Sequence, residues 1–310
     1  MNNELILWIV FGILVAVILG LDLGVFNRKA HVIKMKEALI WSAALIAIAL
    51  LFDLLIYFML GTPKALDFLT AYLIEKSLSV DNLFVFLVIF AYFNVPETSR
   101  HRVLFWGIIG ALIMRALFIV IGLTAIENIH WIIYIFGAFL IYTGIRLSFG
   151  KEREIHPEKN IFVRLARRMV PVTSDYRQNS FFTRENAKIA ITPLFLVLLV
   201  LETTDVLFAV DSIPAVLSVT LDPLVVYASN IFAVLGLRAL FFVLAGFTQR
   251  LCYLSYGLAA ILIFLGLKMV SSDFFPMPVS VSLGTVFGIL IITVIASIMR
   301  SKGKNSNKLR

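Results

Sequence analysis

The stretch VLETTDVLFAVDSIPAV, residues 200–216, places three acids, Glu202, Asp205 and Asp211, inside a long apolar segment. The whole apolar segment, 191–216, is long enough to cross the roughly 30 Å hydrocarbon core of a bilayer as a helix. An aspartate at the centre of a membrane helix costs about 2.5–3.5 kcal/mol on insertion scales. We therefore expect these acids to face one another, water or a bound ion rather than lipid.

The composition of the whole chain is that of an integral membrane protein. Its 310 residues are 61% hydrophobic and their mean hydropathy is +0.98, whereas soluble domains are about half apolar. The single cysteine, Cys252, excludes an intramolecular disulfide and a cysteine-cluster metal site.

The apolar runs predict an all-α fold, a polytopic transmembrane helical bundle in one membrane domain, 1–310. In lipid only helices and closed barrels satisfy the backbone, and these runs are too long and uniform for barrel strands. The first run lacks a basic leader and is expected to be a retained span. About nine spans are predicted, at 5–26, 38–60, 66–93, 103–125, 131–149, 191–216, 224–247, 252–271 and 278–299.

Lysine and arginine residues fall on one side of this topology if the spans alternate. They follow the first, third, fifth and seventh spans and fill the C-terminal tail, while the opposite loops carry little beyond Lys64. The positive-inside rule then predicts an external N-terminus and a cytoplasmic C-terminus. The net charge of +8 follows this distribution, which argues against nucleic-acid binding. The loop at about 150–190 is expected to be a solvated linker.

Two parts of the chain resemble each other at an offset of about 123 residues. SVDNLFVF at 79–86 matches TTDVLFAV at 203–210, MRALFIVIG at 114–122 matches LRALFFVLAG at 237–246, and YTGIR at 142–146 matches FLGLK at 264–268. The match aligns Asp81 with Asp205 and Arg115 with Arg238. Three spans per copy predict inverted repeats at about 66–149 and 191–271, a plan of secondary transporters whose site lies near the bilayer midplane.

Acids at apparent membrane depth outnumber cations. The cations are Lys76, Arg115 and Arg238, and the acids are Asp22, Asp53, Glu75, Asp81, Glu202, Asp205 and Asp211. We expect Asp81, Asp205 and Asp211 to be functional, since their negative charge needs a cation or protons. The two arginines are expected to be structural partners or orienting groups, and Lys76 to serve Glu75 or a neighbour. Asp22 and Asp53 stay open between a functional role and a wet boundary position.

The other polar groups of the predicted core complete an all-oxygen ligand set. Hydroxyls and one amide accompany the acids, at Ser77, Ser79, Asn82, Thr203, Thr204 and Ser212. Such a set suits hard divalent cations such as manganese, magnesium or calcium, whereas zinc and copper sites usually recruit His or Cys.

Asp205 and Asp211 are six residues apart, about 600° of helical turn, so they would not share a face of a straight helix. Pro214 removes a backbone bond to the carbonyl of Val210 and can kink the helix. A helix broken there would let both acids and the freed carbonyl face one cavity.

The segments EKSLSVDNLFVF at 75–86 and ETTDVLFAVDSIPA at 202–215 resemble the TerC family of bacterial membrane proteins, and most of all its Alx-type members. The resemblance covers nearly the whole chain, including ITPLFLVLLV before the second motif and SNIFAVLGLRALFF after it. It implies a multi-span inner-membrane protein of the LysE-like transporter superfamily. It also implies manganese efflux, with older links to tellurium resistance and alkaline pH response. The ion-site residues implied by the motifs are Glu75, Asp81, Asn82, Glu202, Asp205 and Asp211.

Several functional classes remain open at this stage. We expect a secondary transporter without a cofactor, not an enzyme, that exports a divalent cation, with protons as a natural counter-substrate because clustered carboxylates titrate together. The alternative is an accessory membrane protein that hands metal to secreted proteins beside the secretion machinery, or that confers tellurium resistance without being a carrier. A homo-oligomeric partner stays open. An intramembrane aspartyl hydrolase is disfavoured because no GxGD-type motif occurs, and a self-contained ATP-driven pump because no GxxxxGK[ST] motif occurs.

Overall fold

The computed structural model describes residues 3–21, 35–129, 131–149, 160–173, 175–176, 180–185, 188–245, 253–271, 274–275 and 277–306. Most of these residues are helical, which confirms the all-α polytopic fold. The helices are α1 (Asn3–Leu21), α2 (Met35–Leu60), α3 (Thr62–Tyr92), α4 (Glu97–Asn128), α5 (Ile132–Ser148), α6 (Ile161–Met169), α7 (Pro193–Leu217), α8 (Pro223–Leu235), α9 (Leu237–Ala245), α10 (Leu254–Val270) and α11 (Val279–Ser306). Two short strands, β1 (Phe182–Glu185) and β2 (Lys188–Ile191), lie between α6 and α7.

Six segments of the described chain are long and apolar enough to cross a membrane, with α8 and α9 together forming one of them. Helices α5 and α10 are apolar but shorter. Helix α3 has 31 residues, enough to span the bilayer, but it carries Lys64, Asp67, Glu75, Lys76 and Asp81. The exact count of nine spans stays a prediction.

The seventh predicted span is interrupted and the sixth is not. Helix α7 runs from Pro193 to Leu217 and contains Pro214, so the break that Pro214 could have caused does not occur. The proline lies in the last turn of the helix, where few backbone bonds remain to be lost, and its own carbonyl accepts from Ser218 N at 2.9 Å. The interruption lies instead at Gly236, between α8 and α9.

The predicted linker at 150–190 is folded over its described part, so the expectation of a simple solvated linker is wrong there. Asn160 caps α6 by accepting from the backbone of Phe162 at 2.9 Å and of Val163 at 3.2 Å. Strands β1 and β2 form an antiparallel hairpin. Tyr176 donates its hydroxyl hydrogen to the carbonyl of Phe93 at the end of α3. Residues 151–159 lie outside the described part.

One end of the bundle gathers the starts of α1 and α3 with the end of α2 and the turn before α8. Asn3 donates to the carbonyl of Met59 at 3.0 Å, and Lys64 pairs with Asp222. This grouping agrees with spans that alternate in direction. Which side of the membrane this end faces stays a prediction from the basic loops.

Glycine contacts between α5 and α10 follow the predicted repeat. A Cβ at Gly144 would lie 2.8 Å from the carbonyl oxygen of Ala259, and one at Gly266 would lie 2.6 Å from that of Gly137. In the repeat alignment Gly144 corresponds to Gly266, and Gly137 corresponds to Ala259. The repeat alignment therefore converts the contact of Gly144 with Ala259 into that of Gly266 with Gly137, as a twofold axis would. Helix α3 also packs on α8 while α4 packs on α7, which agrees with the repeat but leaves it a prediction.

Candidate functional site

A buried ion-pair network centred on Arg115 joins three helices. The Arg115 side chain on α4 is 0% exposed. Its Nε and Nη2 each donate to one carboxylate oxygen of Asp205 on α7, both at 3.2 Å. Its Nη1 donates to Oε1 of Glu75 on α3. The pairing with Asp205 is bidentate, a geometry that the planar guanidinium allows and an ammonium does not.

Two more polar side chains complete the network. Ser79, one turn after Glu75, donates to Glu75 Oε1 at 3.5 Å. Asn230 on α8 is fully buried, and its Oδ1 accepts from Arg115 Nη1 at 3.5 Å. Asn230 was not singled out from the sequence. The available signal was an amide inside the apolar run SNIFAVL.

The network holds more negative than positive charge when all its groups are ionised. Two carboxylates meet one guanidinium, which leaves one negative charge. Glu75 Oε2 and Asn230 Nδ2 are both buried without a hydrogen-bond partner among the described residues. An uncompensated charge in a membrane interior is costly. The network therefore needs either a bound cation beside the two ionised acids or a proton on one of them.

Glu202 lies one turn before Asp205 on α7 and is accommodated by Gly110 on α4. A Cβ at Gly110 would overlap the Glu202 carboxylate. The missing side chain thus provides the space in which a third acid approaches α4 close to the network.

The remaining predicted site residues have different positions. Asn82, Asp211, Ser212 and Arg238 are buried, and Asp211 and Arg238 each have further interactions. Asp53 is half-buried on α2. The network described above has no member from α2. Asp22 and the side chain of Asp81 lie outside the described part.

Asp205 and Arg238 both line a small cavity. Its walls come from α3, α4, α7 and α9, and include Phe86, Ala111, Leu201, Asp205, Leu237 and Arg238. Within the described residues, no three His, Cys, Asp or Glu side chains are grouped so that they could hold a metal ion. In this conformation Arg115 lies between the carboxylates of Glu75 and Asp205 and pairs with both.

Two polar groups behave differently from expectation. Lys76, expected to serve Glu75 or a neighbouring acid, donates instead to the carbonyl of Ala233 at 3.3 Å. The hydroxyl of Thr203 accepts from the amide of Asn160 at 2.7 Å and donates within α7 to the Leu199 carbonyl at 2.8 Å. Thr203 thus links the segment before α6 to α7.

The model of the Integral membrane protein TerC family matches residues 60–305, which include every residue of this network. The chain belongs to the TerC family. This confirms the resemblance carried by the two acidic motifs.

Relatives in the TerC family align over nearly their whole length. The membrane protein STKORF319 of Myxococcus xanthus is 49% identical over 296 residues, which cover 96% of this chain and 93% of the relative. The protein Alx of Escherichia coli (strain K12), named as a proposed membrane-bound redox modulator, is 46% identical over 299 residues, with 94% and 93% covered. A membrane protein of Rickettsia bellii is 38% identical over 293 residues, with 94% and 97% covered. No solved structure matches the chain.

Proposed function

We propose that this TerC-family chain is a secondary transporter that exports a divalent cation, manganese being the expected substrate. The observation that carries the proposal is the network of Glu75, Arg115 and Asp205. It joins acids from the two predicted repeats deep in a membrane bundle and holds one more negative charge than positive charge when ionised. The chain acts as a carrier in the bacterial inner membrane, not as an enzyme, with its N-terminus outside and its C-terminus in the cytoplasm.

Arg115 acts as a tethered cation in the proposed cycle. In the ion-free state it neutralises one of the two acid charges, and its bidentate bond occupies both oxygens of Asp205. A divalent ion replaces the guanidinium between Glu75 and Asp205. The other oxygen ligands then approach from α3 and α7, and they are Asp81, Asn82, Glu202 and Asp211, with Ser79 and Ser212 as additional donors. Arg238, the counterpart of Arg115 in the second predicted repeat, orients the ligands from that repeat.

Protons are the proposed counter-substrate. The one charge that Arg115 leaves uncompensated is neutralised by a proton when no metal is bound, and metal binding releases it. The two repeats, 66–149 and 191–271, rock around the site within a single membrane domain, and so expose it to either side in turn.

The second candidate is an accessory protein that hands metal to secreted proteins beside the secretion machinery, or confers tellurium resistance, without carrying ions itself. A protein that hands over metal would use the same acids, so the geometry does not separate it from a carrier. The name of the relative Alx, a proposed redox modulator, agrees with a role other than simple efflux.

The test is manganese flux in proteoliposomes that contain the purified full chain and no partner. We expect flux from wild type, loss to background in Glu75→Gln and Asp205→Asn, and wild-type flux in the control Glu97→Gln. Glu97 is suitable because its side chain is 64% exposed at the start of α4. Wild-type flux in both network variants would show that the network is not the transport site. No flux from folded wild type would favour the accessory role.

A further inference from the structure

Lys76 places its charge at the interruption of the seventh span. Its Nζ donates to the carbonyl of Ala233, in the last turn of α8, at 3.3 Å. No carboxylate of the described part pairs with it. A lysine at membrane depth is costly unless its charge meets a partner, so the partner here is the end of a helix.

The end of α8 is a suitable partner for a cation. The last carbonyls of a helix lack intrahelical donors, and the aligned peptide dipoles give this end a partial negative charge. In interrupted membrane helices of secondary transporters, such ends coordinate cations. Here the ammonium of Lys76 takes that position.

Gly236 provides the space for the ammonium. A Cβ at Gly236 would overlap Nζ of Lys76. The backbone angles of Gly236 are φ −78° and ψ −10°, which alanine also adopts, so the conformation itself does not require glycine. The absence of a side chain is explained by the neighbouring cation.

The joint at Gly236 lies between two residues of the candidate site. Asn230, on α8, contacts Arg115, and Arg238, on α9, lines the cavity beside Asp205. A change in the joint alters the orientation of one of these side chains relative to the other. The position of the ammonium thus affects both halves of the seventh span.

We infer that Lys76 is a positioning residue of the proposed transport site, a tethered cation bound in a cation site at the C-terminal end of α8 that holds the α8–α9 joint in register with Asp205. The role in transport rests on the proposed function. The cation site itself rests on the contacts with Ala233 and Gly236.

The experiment removes the ammonium group of Lys76 from the end of α8 and then supplies a free ammonium ion in its place. Lys76→Ala removes the side chain beyond Cβ, and propylammonium replaces the missing atoms with their charge. We expect Lys76→Ala to lower manganese flux by about tenfold to a hundredfold, as loss of supporting residues does at metal sites. Propylammonium should restore part of that flux and raise the Tm of the purified variant in a saturable way. Neutral 1-propanol should do neither.

Two further variants separate charge and space from a general loss of folding. Gly236→Ala keeps Lys76 and an allowed backbone, yet displaces the ammonium, so it should lower flux while the protein stays folded. The double variant Lys76→Ala/Gly236→Ala should lose the response to propylammonium, because the new methyl group fills its place.

The outcomes distinguish the inference from the proposed function. A saturable Tm rise of Lys76→Ala in propylammonium supports the cation site even if wild type moves no manganese, in which case the transport proposal alone falls. Wild-type flux in Gly236→Ala, together with no effect of propylammonium on Lys76→Ala, would overturn the inference while leaving the transporter intact.

Discussion

Arg115 donates to both carboxylate oxygens of Asp205 at 3.2 Å, although the two residues are 90 positions apart in the chain. The same guanidinium also donates to Glu75. One cation therefore joins acids of both predicted repeats across the interior of the bundle. This ion-pair network couples the stability of the helix packing to the charge state of the candidate site.

Loss of the guanidinium should destabilise the fold more than loss of the pair. Arg115→Met leaves the buried Asp205 charge uncompensated, at an expected cost of about 3–5 kcal/mol. Arg115→Met/Asp205→Asn should recover part of this, because the double variant removes both charges. The free energy of unfolding in bicelles, measured as a double-mutant cycle, checks the prediction. The control is the ion pair of Glu97, whose side chain is exposed, with the partly buried Arg100 3.9 Å away, and Glu97→Gln should cost no more than about 1 kcal/mol. If the costs of Arg115→Met and Asp205→Asn simply add in the double variant, the two residues do not interact and the prediction is wrong.

Gly110→Ala should impair transport without removing an acid. The new methyl group displaces the Glu202 carboxylate from α4, and we expect about a tenfold to hundredfold loss of manganese flux, as at other disturbed metal sites. The matched control is Gly12→Ala in α1, since a Cβ at Gly12 meets nothing within 4 Å. Flux and affinity in proteoliposomes check this. Equal flux in both variants would show that Glu202 has no role near Gly110.

Two glycines should be needed for the packing of α5 on α10. A Cβ at Gly144 or Gly266 would press on a backbone carbonyl, at 2.8 Å and 2.6 Å, and backbone cannot move aside as a side chain can. We expect Gly144→Ala and Gly266→Ala each to cost about 1–3 kcal/mol through overpacking.

The control is Gly288→Ala in α11, where a Cβ has open space and alanine is the better helix former by about 1 kcal/mol. The thermal unfolding midpoint of the purified variants measures the difference. Similar costs at Gly144 and Gly266 would also agree with the predicted repeat, whereas a cost at only one of them would argue against it.

Tyr176 should make the stability of the folded segment before α7 depend on alkaline pH. Its hydroxyl donates to the Phe93 carbonyl, and burial raises the pKa of Tyr176 above its ordinary value. A raised pKa means that the bond's contribution is complete below the unfolded pKa of about 10. It is lost as the pH rises through the folded pKa, because the unfolded state ionises first.

Tyr176→Phe should lower stability by about 0.5–1.5 kcal/mol at pH 8, and the difference from wild type should shrink at pH 11. Thermal unfolding at both pH values measures it. A difference that stays constant between them would show that the hydroxyl does not titrate with folding.

The sequence predicted the membrane class, most helices and the acids of the network, because length, apolar composition and charge are local properties. It did not predict the role of Asn230, since a lone amide in an apolar run carries no sign of its neighbours. It allowed a break at Pro214 and gave no sign of the interruption at Gly236, because the effect of a proline depends on its distance from the end of the helix. The fold of the described part of the segment at 160–191 was missed because one of its contacts, from Tyr176 to the Phe93 carbonyl, joins residues 83 positions apart.

By itself the sequence determined that the chain is a helical membrane protein whose acids exceed its cations at membrane depth, because insertion depends on the composition of each segment. Only the tertiary structure decided which charges meet. Arg115 is aligned with Arg238 and could have served several acids, but the packing of both α4 and α3 against α7 gives it Glu75 and Asp205. Ion pairing depends on distances of a few ångströms between segments far apart in the chain, and packing alone sets those distances.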